Sequence, residues 1–292
     1  MKDLKDRVAV ITGGASGVGK ALAFALAKEG CKVVVADIEA KALDNVVSEL
    51  VASGADAMGM VADVTKAESM HALATAAFDR YNGVHLVFAN AGVGTGEGGN
   101  MWDYDLNDWE WGFRVNTWGV IHTINAFIPK LVTQNKPANF VITGSGNGAF
   151  IMMPNIPIYT ATKAAVMAIT ENLHFQLQAA QSPIKVSALF PGPHVVNTGI
   201  FNSERNRPSD LPINPDKPDS GIHSVEDMQA IMQQYGMTLT TTEPTEVAVF
   251  AVEGVKEDKF WITKMSEKSQ VALRLRTEGI LSQTTPTPPD VL

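Results

Sequence analysis

Sulfur chemistry is nearly absent from this chain. Cys31 is its only cysteine, so no intrachain disulfide and no cysteine-based metal cage can form. Charge is sparse as well, at 18% of residues, and the 23 Lys and Arg set against 31 Asp and Glu never gather into a basic block. A formal net charge of −8 without a phosphate-binding stripe argues against nucleic acid as a partner. No apolar run is long enough for a membrane span, and the opening Met1-Lys2-Asp3-Leu4-Lys5-Asp6 lacks the apolar stretch of a signal peptide. A cytoplasmic protein with no membrane partner is expected. The six histidines are scattered, with His122 and His174 on apolar helical stretches where a packed role is expected, and no metal site is predicted. What is plentiful is apolar material, 45% of the chain, which supplies a sizeable core and sets the chain apart from disordered ones.

Apolar runs of strand length recur: Val8-Ala9-Val10-Ile11, Val33-Val34-Val35-Ala36, Met58-Gly59-Met60-Val61, Leu86-Val87-Phe88-Ala89, Phe140-Val141-Ile142, Val186-Ser187-Ala188-Leu189 and Phe260-Trp261-Ile262. Continuous runs suit strands covered on both faces, as in a parallel sheet. The segments 20–28, 41–50 and 69–80 between them mix Ala, Leu and charges at helical spacing. The alternation predicts an α/β fold, a single-domain Rossmann-like doubly wound parallel sheet of about seven strands with helices on both faces. Two stretches interrupt it. Residues 92–108 are Gly-rich and carry Trp102 and Tyr104, and residues 202–220 contain Pro208, Pro212, Pro215 and Pro218, which bar a regular helix. A short helix is predicted over 225–235. The expected organisation is a cofactor-binding and catalytic core at 1–198, a substrate flap at 199–243, a helix-strand-helix at 244–281 and a mobile tail at 282–292.

Directly after the first strand comes Thr12-Gly13-Gly14-Ala15-Ser16-Gly17-Val18-Gly19, which runs into a helix. Glycines there permit a tight turn and close backbone approach to a pyrophosphate, and the helix N-terminus offers N–H groups to it. Gly13, Ser16, Gly17, Val18 and Gly19 are the expected contacts. The second strand ends at Asp37, followed by Ile38, about 20 residues further on, where a dinucleotide fold sets an acid against the adenosine ribose. A carboxylate accepts hydrogen bonds from ribose hydroxyls and repels a 2′-phosphate, and no basic residue stands among Gly14, Ala15 and Ser16. NAD is the predicted cofactor in preference to NADP.

Tyr159 and Lys163 stand four apart, on one face of a helix. A free Tyr hydroxyl titrates near ~10, and a neighbouring ammonium favours the phenolate and brings it closer to working pH. Upstream, Phe140-Val141-Ile142-Thr143-Gly144-Ser145 reads as a strand delivering a hydroxyl to the carboxyl end of the sheet, where ligands of such sheets bind.

Together these residues resemble the short-chain dehydrogenase/reductase family, with its signatures T-G-x-x-x-G-x-G and Y-x-x-x-K. Asp63-Val64, Asn90-Ala91-Gly92, Asn116 and Pro191-Gly192 extend the match over residues 4–263. The resemblance implies that Tyr159 is the general acid/base, that Lys163 lowers its pKa and holds the nicotinamide ribose, and that Ser145 polarises the substrate oxygen. It gives Asn116, on a helix over 109–127, a water that continues a proton relay. It puts Asp63 and Val64 at adenine, Asn90, Ala91 and Gly92 along the adenosine and phosphates, Pro191 and Gly192 beside the nicotinamide, and Thr198 among the cofactor contacts. A homodimer or homotetramer is implied too, with the apolar helices 109–131 and 159–178 as a seam. The chain departs from the family in writing Gly144-Ser145-Gly146 where Ser-Ser is frequent, in a long step from Ser145 to Tyr159, and in Pro193-His194-Val195-Val196-Asn197 inserted before Thr198.

The substrate is read from apolar groups expected around the crevice: Trp102 and Tyr104, Phe150 to Met153 with Met152 between, and Ile200-Phe201, with His194 as a further contact. A bulky apolar or aromatic secondary alcohol suits them. The serine-to-tyrosine loop, Pro191-Gly192-Pro193 and Glu243-Pro244-Thr245-Glu246-Val247 loosely resemble bacterial dehydrogenases that oxidise the benzylic alcohol of lignin-derived aryl ethers. Hydroxysteroids and terpene alcohols satisfy the same pocket, and a non-enzymatic nicotinamide sensor on this fold is the alternative from another class. The acids Asp103, Asp105, Asp108 and Glu110 read as a solvated loop and first helical turn.

Overall fold

The computed structural model describes residues 1–95 and 98–289, so the last three residues of the predicted tail lie outside it. In chain order it forms β1 (Val8–Thr12), α1 (Gly17–Lys28), β2 (Lys32–Asp37), α2 (Ala40–Ala52), β3 (Ala57–Val61), α3 (Ala67–Tyr81), β4 (Leu86–Ala89), α4 (Leu106–Gly112), α5 (Gly119–Gln134), β5 (Ala138–Thr143), α6 (Gly146–Ala149), α7 (Pro157–Ala179), β6 (Ile184–Phe190), β7 (Val195–Val196), α8 (Val225–Gln234), β8 (Thr241–Thr242), α9 (Pro244–Lys256), β9 (Trp261–Thr263) and α10 (Glu267–Ser282). Seven strands make one parallel sheet in the order β3-β2-β1-β4-β5-β6-β9. Alternate strand residues bury opposite ways. Ala9 and Ile11 pack with α1, α2 and α9, while Val8 and Val10 pack with α3, α5 and α7. Each interior strand therefore needs apolar residues at successive positions, which is why its sequence reads as a continuous run. The edge strands β3 and β9 are exceptions, with Val61 54% and Trp261 47% exposed.

The chain winds outward from β1 through β2 to β3, then returns to β4 on the other side of β1. That reversal opens a crevice at the carboxyl ends of β1 and β4, the place where such sheets bind ligands. Two local features were not expected. Residues Phe113–Trp118, between α4 and α5, are π-helical, and such segments are often found at functional sites. The insertion before Thr198 forms β7, which pairs in parallel with β8 and so ties together the two ends of the flap. Asn197 N–H donates to the Thr242 carbonyl at 3.0 Å, sealing that pairing. Among the described residues no helix is long and apolar enough to cross a membrane.

Candidate active site

The glycine turn lies at the crevice. Gly13 and Gly17 have φ of +62° and +50°, the left-handed region where a side chain is strained. A Cβ on Gly13 would stand 2.8 Å from Ala91 Cα, and one on Gly19 would stand 2.0 Å from the Gly13 carbonyl, so the turn closes on the end of β4 without room for a side chain. Ser16 occupies the N-cap of α1 without using its hydroxyl as a cap, and no acid stands in the first turn. The N-terminus of α1 thus keeps its positive end for an anion. Asp37 is 8% exposed. Its Oδ2 accepts from Ala15 N–H at 2.9 Å and its Oδ1 from Glu39 N–H at 3.0 Å, which locks the carboxylate against the turn. Ile38 is 48% exposed beside it. Asp63 Oδ1 caps its own turn through Thr65. The Val64 carbonyl is held by His122 Nδ1 at 2.9 Å, the packed role expected for that histidine.

A hydrogen-bond chain runs from the glycine turn to Lys163. Asn90 Nδ2 donates to the carbonyls of Thr12 and Gly13 at 3.1 and 3.4 Å, and its Oδ1 accepts from Thr143 Oγ1 at 3.1 Å. The Thr143 carbonyl in turn accepts from Lys163 Nζ at 3.1 Å. Lys163 is 4% exposed, and burial pulls its ammonium down from the ordinary 10.5 to about 8. Its Nζ lies 5.7 Å from the centre of the Tyr159 ring, both on α7. A Cβ on Gly92 would meet Asn116 Oδ1 at 3.2 Å and Lys163 Nζ at 3.5 Å. Glycine there leaves the Asn116 amide and the Lys163 ammonium free of a side chain between them. Ser145 follows β5 and caps α6, accepting from Asn147 N–H at 3.2 Å.

Asn116 lies within the π-helical segment and is fully buried. Its Oδ1 accepts from Val93 N–H at 2.8 Å, and its Nδ2 donates to the Val93 carbonyl at 3.0 Å and to Thr162 Oγ1 at 3.1 Å. The side chain thereby fastens the segment after β4 to α7. Thr162, which takes part in this fastening, and Thr143, which holds Asn90, were not singled out from the sequence. A hydroxyl beside a motif carries no spacing signal of its own.

The flap begins on the glycine turn: Thr198 Cγ2 lies 3.0 Å from where a Gly17 Cβ would be. Ser203 Oγ accepts from Gly94 N–H at 3.1 Å. Asp108, read as solvated from the sequence, is 4% exposed and ion-paired with Arg207 and, at 3.6 Å, Lys217. Arg207 also lies 5.1 Å from the Trp111 ring centre. The flap is therefore pinned to α4 by a buried ionic cluster. The proposed substrate residues divide. Met152 and Met153 are half-buried ahead of α7. Gly148, at φ +94°, turns Phe150 back onto Phe190 of β6, 4.7 Å between ring centres, so it is a core residue. Trp102 is 82% exposed, and the His194 side chain is exposed while its backbone N–H donates to Thr242. Phe201 lines a hollow of about 200 Å³ within the flap with Ile213, Lys217 and His223, which none of Ser145, Tyr159 or Lys163 lines. Pro191 and Gly192 border a small hollow with Phe150, Phe190 and Met265, so Phe150 both packs on the core and lines this hollow.

Switch-point crevice, glycine turn and buried lysine beside a tyrosine define a dinucleotide-dependent oxidoreductase site, and the chain belongs to the short chain dehydrogenase family, which matches residues 7–208. It is similar over its whole length, and the whole of the other chain, to a crystal structure of a short chain dehydrogenase/reductase from Burkholderia phymatum in complex with NAD, at 38% identity and a TM-score of 0.88. It is 38% identical to 1-deoxy-11-beta-hydroxypentalenate dehydrogenase of Streptomyces avermitilis over 65% of this chain and 69% of the relative. LigO from Sphingobium sp. strain SYK-6 shares its fold at a TM-score of 0.75 and 25% identity, covering 97% of this chain and 91% of LigO.

Proposed function

We propose that this chain is an NAD-dependent alcohol dehydrogenase/ketoreductase that interconverts a secondary alcohol and a ketone. The carrying observation is the buried Lys163 ammonium, pulled down to about 8, against the Tyr159 ring at 5.7 Å. Bound NAD would supply the hydride acceptor for alcohol oxidation and, as NADH, the hydride donor for ketone reduction. Gly13, Ser16, Gly17, Val18 and Gly19 would hold its pyrophosphate, Asp37 and Ile38 its adenosine ribose, and Asp63 and Val64 its adenine. Asn90, Ala91, Gly92, Pro191, Gly192 and Thr198 would line its length. In the protein, Ser145 donates a hydrogen bond to the substrate oxygen and Tyr159 accepts the alcohol proton. The accepting form is the Tyr159 phenolate, which Lys163 steadies before the transfer and which the transfer leaves as the neutral phenol. The amide of Asn116 is bonded to Val93 and Thr162, and beside those bonds Asn116 would hold the water of a relay from Lys163.

The substrate is bulky and apolar, with Met152 and Met153 as its adaptable wall. The substrate in the Streptomyces relative's name, a 1-deoxy-11-beta-hydroxypentalenate, supports a terpene alcohol at least as well as an aryl ether. Trp118 and Phe175, 52% and 59% exposed beside and on the long helices, support a homo-oligomer. Incubating the chain with NAD and a panel of secondary alcohols, reading NADH absorbance, tests the reading. Bulky apolar alcohols are expected to show higher kcat/KM than 2-propanol. A preference for the small alcohols removes the pocket argument, and no turnover with any alcohol or ketone favours a nicotinamide sensor.

A further inference from the structure

The ribose end of the crevice carries a second carboxylate. Glu39, two residues beyond Asp37, reaches to the flap. Its Oε1 accepts from Arg205 Nη2 at 2.7 Å, Arg205 Nε at 3.2 Å and Asn206 Nδ2 at 2.8 Å. Arg205 Nη1 is anchored independently on the flap's own carbonyls, Gly199 at 3.1 Å and Asn202. The Arg205 hydrogen bond holds the Glu39 carboxyl below the usual carboxylate range. Since Glu39 N–H donates to Asp37 and Asp37 accepts from Ala15, an unbroken series of contacts joins the glycine turn, Asp37, Glu39 and Arg205. A guanidinium thus stands next to the proposed ribose site with its free edge turned onto a carboxylate.

We propose that Glu39 is a second determinant of cofactor choice and acts by keeping Arg205 occupied. This rests on the NAD reading of Asp37. A guanidinium fork fits phosphate as well as it fits carboxylate. With Glu39 charged, a 2′-phosphate meets two carboxylates and a cation already paired. With Glu39 neutral, Arg205 keeps its two flap anchors and presents Nε and Nη2 to the phosphate. A simple clasp between flap and core, by contrast, would act on both dinucleotides equally.

Titrating the full chain with NADH and with NADPH, by nicotinamide fluorescence, separates these for wild type, Glu39→Gln, Arg205→Met and the double variant. Glu39→Gln is expected to tighten NADPH on the order of tenfold, with NADH changed less than about threefold. That near-constancy also reports correct folding. The double variant is expected to lose the gain, and added salt to erode it. Equal shifts for both dinucleotides, or a gain that survives in the double variant, overturn the proposal. A wild-type chain that prefers NADPH, or binds neither, overturns the reading of Asp37 beneath it.

Discussion

Asn116 pairs with Val93 as a second peptide would, accepting from its N–H at 2.8 Å and donating to its carbonyl at 3.0 Å. The pairing fixes the strand exit beyond Gly92, and a third bond, to Thr162, fixes that exit to α7 one residue before Lys163 and three after Tyr159. Asn116→Ala strands the Val93 N–H and its carbonyl in a buried place, while the Thr162 hydroxyl keeps its bond to the Tyr159 carbonyl. Leaving buried polar groups unpaired costs about 1–3 kcal/mol each before relaxation, so a loss of about 2–4 kcal/mol in urea unfolding is expected. The kcat should fall more than KM rises, because Lys163 is displaced from Tyr159 while the glycine turn is untouched.

Asp37 holds the glycine turn through Ala15 and the start of α2 through Glu39, and in the proposed reading it also meets the cofactor ribose. Asp37→Ala is expected to lower kcat/KM with NAD and to narrow the gap to NADP. A variant whose NAD to NADP ratio is unchanged would show that the end of β2 lies away from the ribose.

Lys163 carries a stability cost with a definite pH signature. Its folded pKa of about 8 lies below the ordinary 10.5, so between those values the unfolded chain binds more protons and stability rises with pH. Below the window the whole penalty applies, roughly 3 kcal/mol for the buried ammonium, offset by about 1 kcal/mol from its bond to Thr143. Lys163→Met should therefore be inactive yet more stable than wild type at pH 7, with the advantage shrinking toward pH 10. Unfolding curves at the two pH values check it, and a variant less stable at pH 7 contradicts the burial cost.

What could be read in advance was short-range. The glycine turn, Asp37 and the Tyr159–Lys163 pair depend on spacing along one turn, strand end or helix, and each lands at the switch-point crevice. The sheet was legible because strands buried on both faces must be apolar at every position, and β3, exposed at the edge, shows the limit of that signal. Side-chain direction in irregular segments was not legible. Phe150 turns into the core through the left-handed Gly148, and Trp102 turns into solvent. Asp108 resembled a helix-start acid until its partner Arg207, 99 residues away, was brought to it. The insertion before Thr198 becomes intelligible only when it pairs with Thr241–Thr242.

Tyr159→Phe tests the central claim most directly, because it removes one oxygen and leaves the ring beside Lys163. Turnover of the best bulky secondary alcohol and NADH affinity should be measured on the same preparation. The expected result is a fall in kcat on the order of a thousandfold with NADH binding within about threefold of wild type. A phenylalanine variant that keeps more than about a tenth of wild-type turnover, well above what loss of a general acid/base allows, would contradict the assignment of the proton to Tyr159.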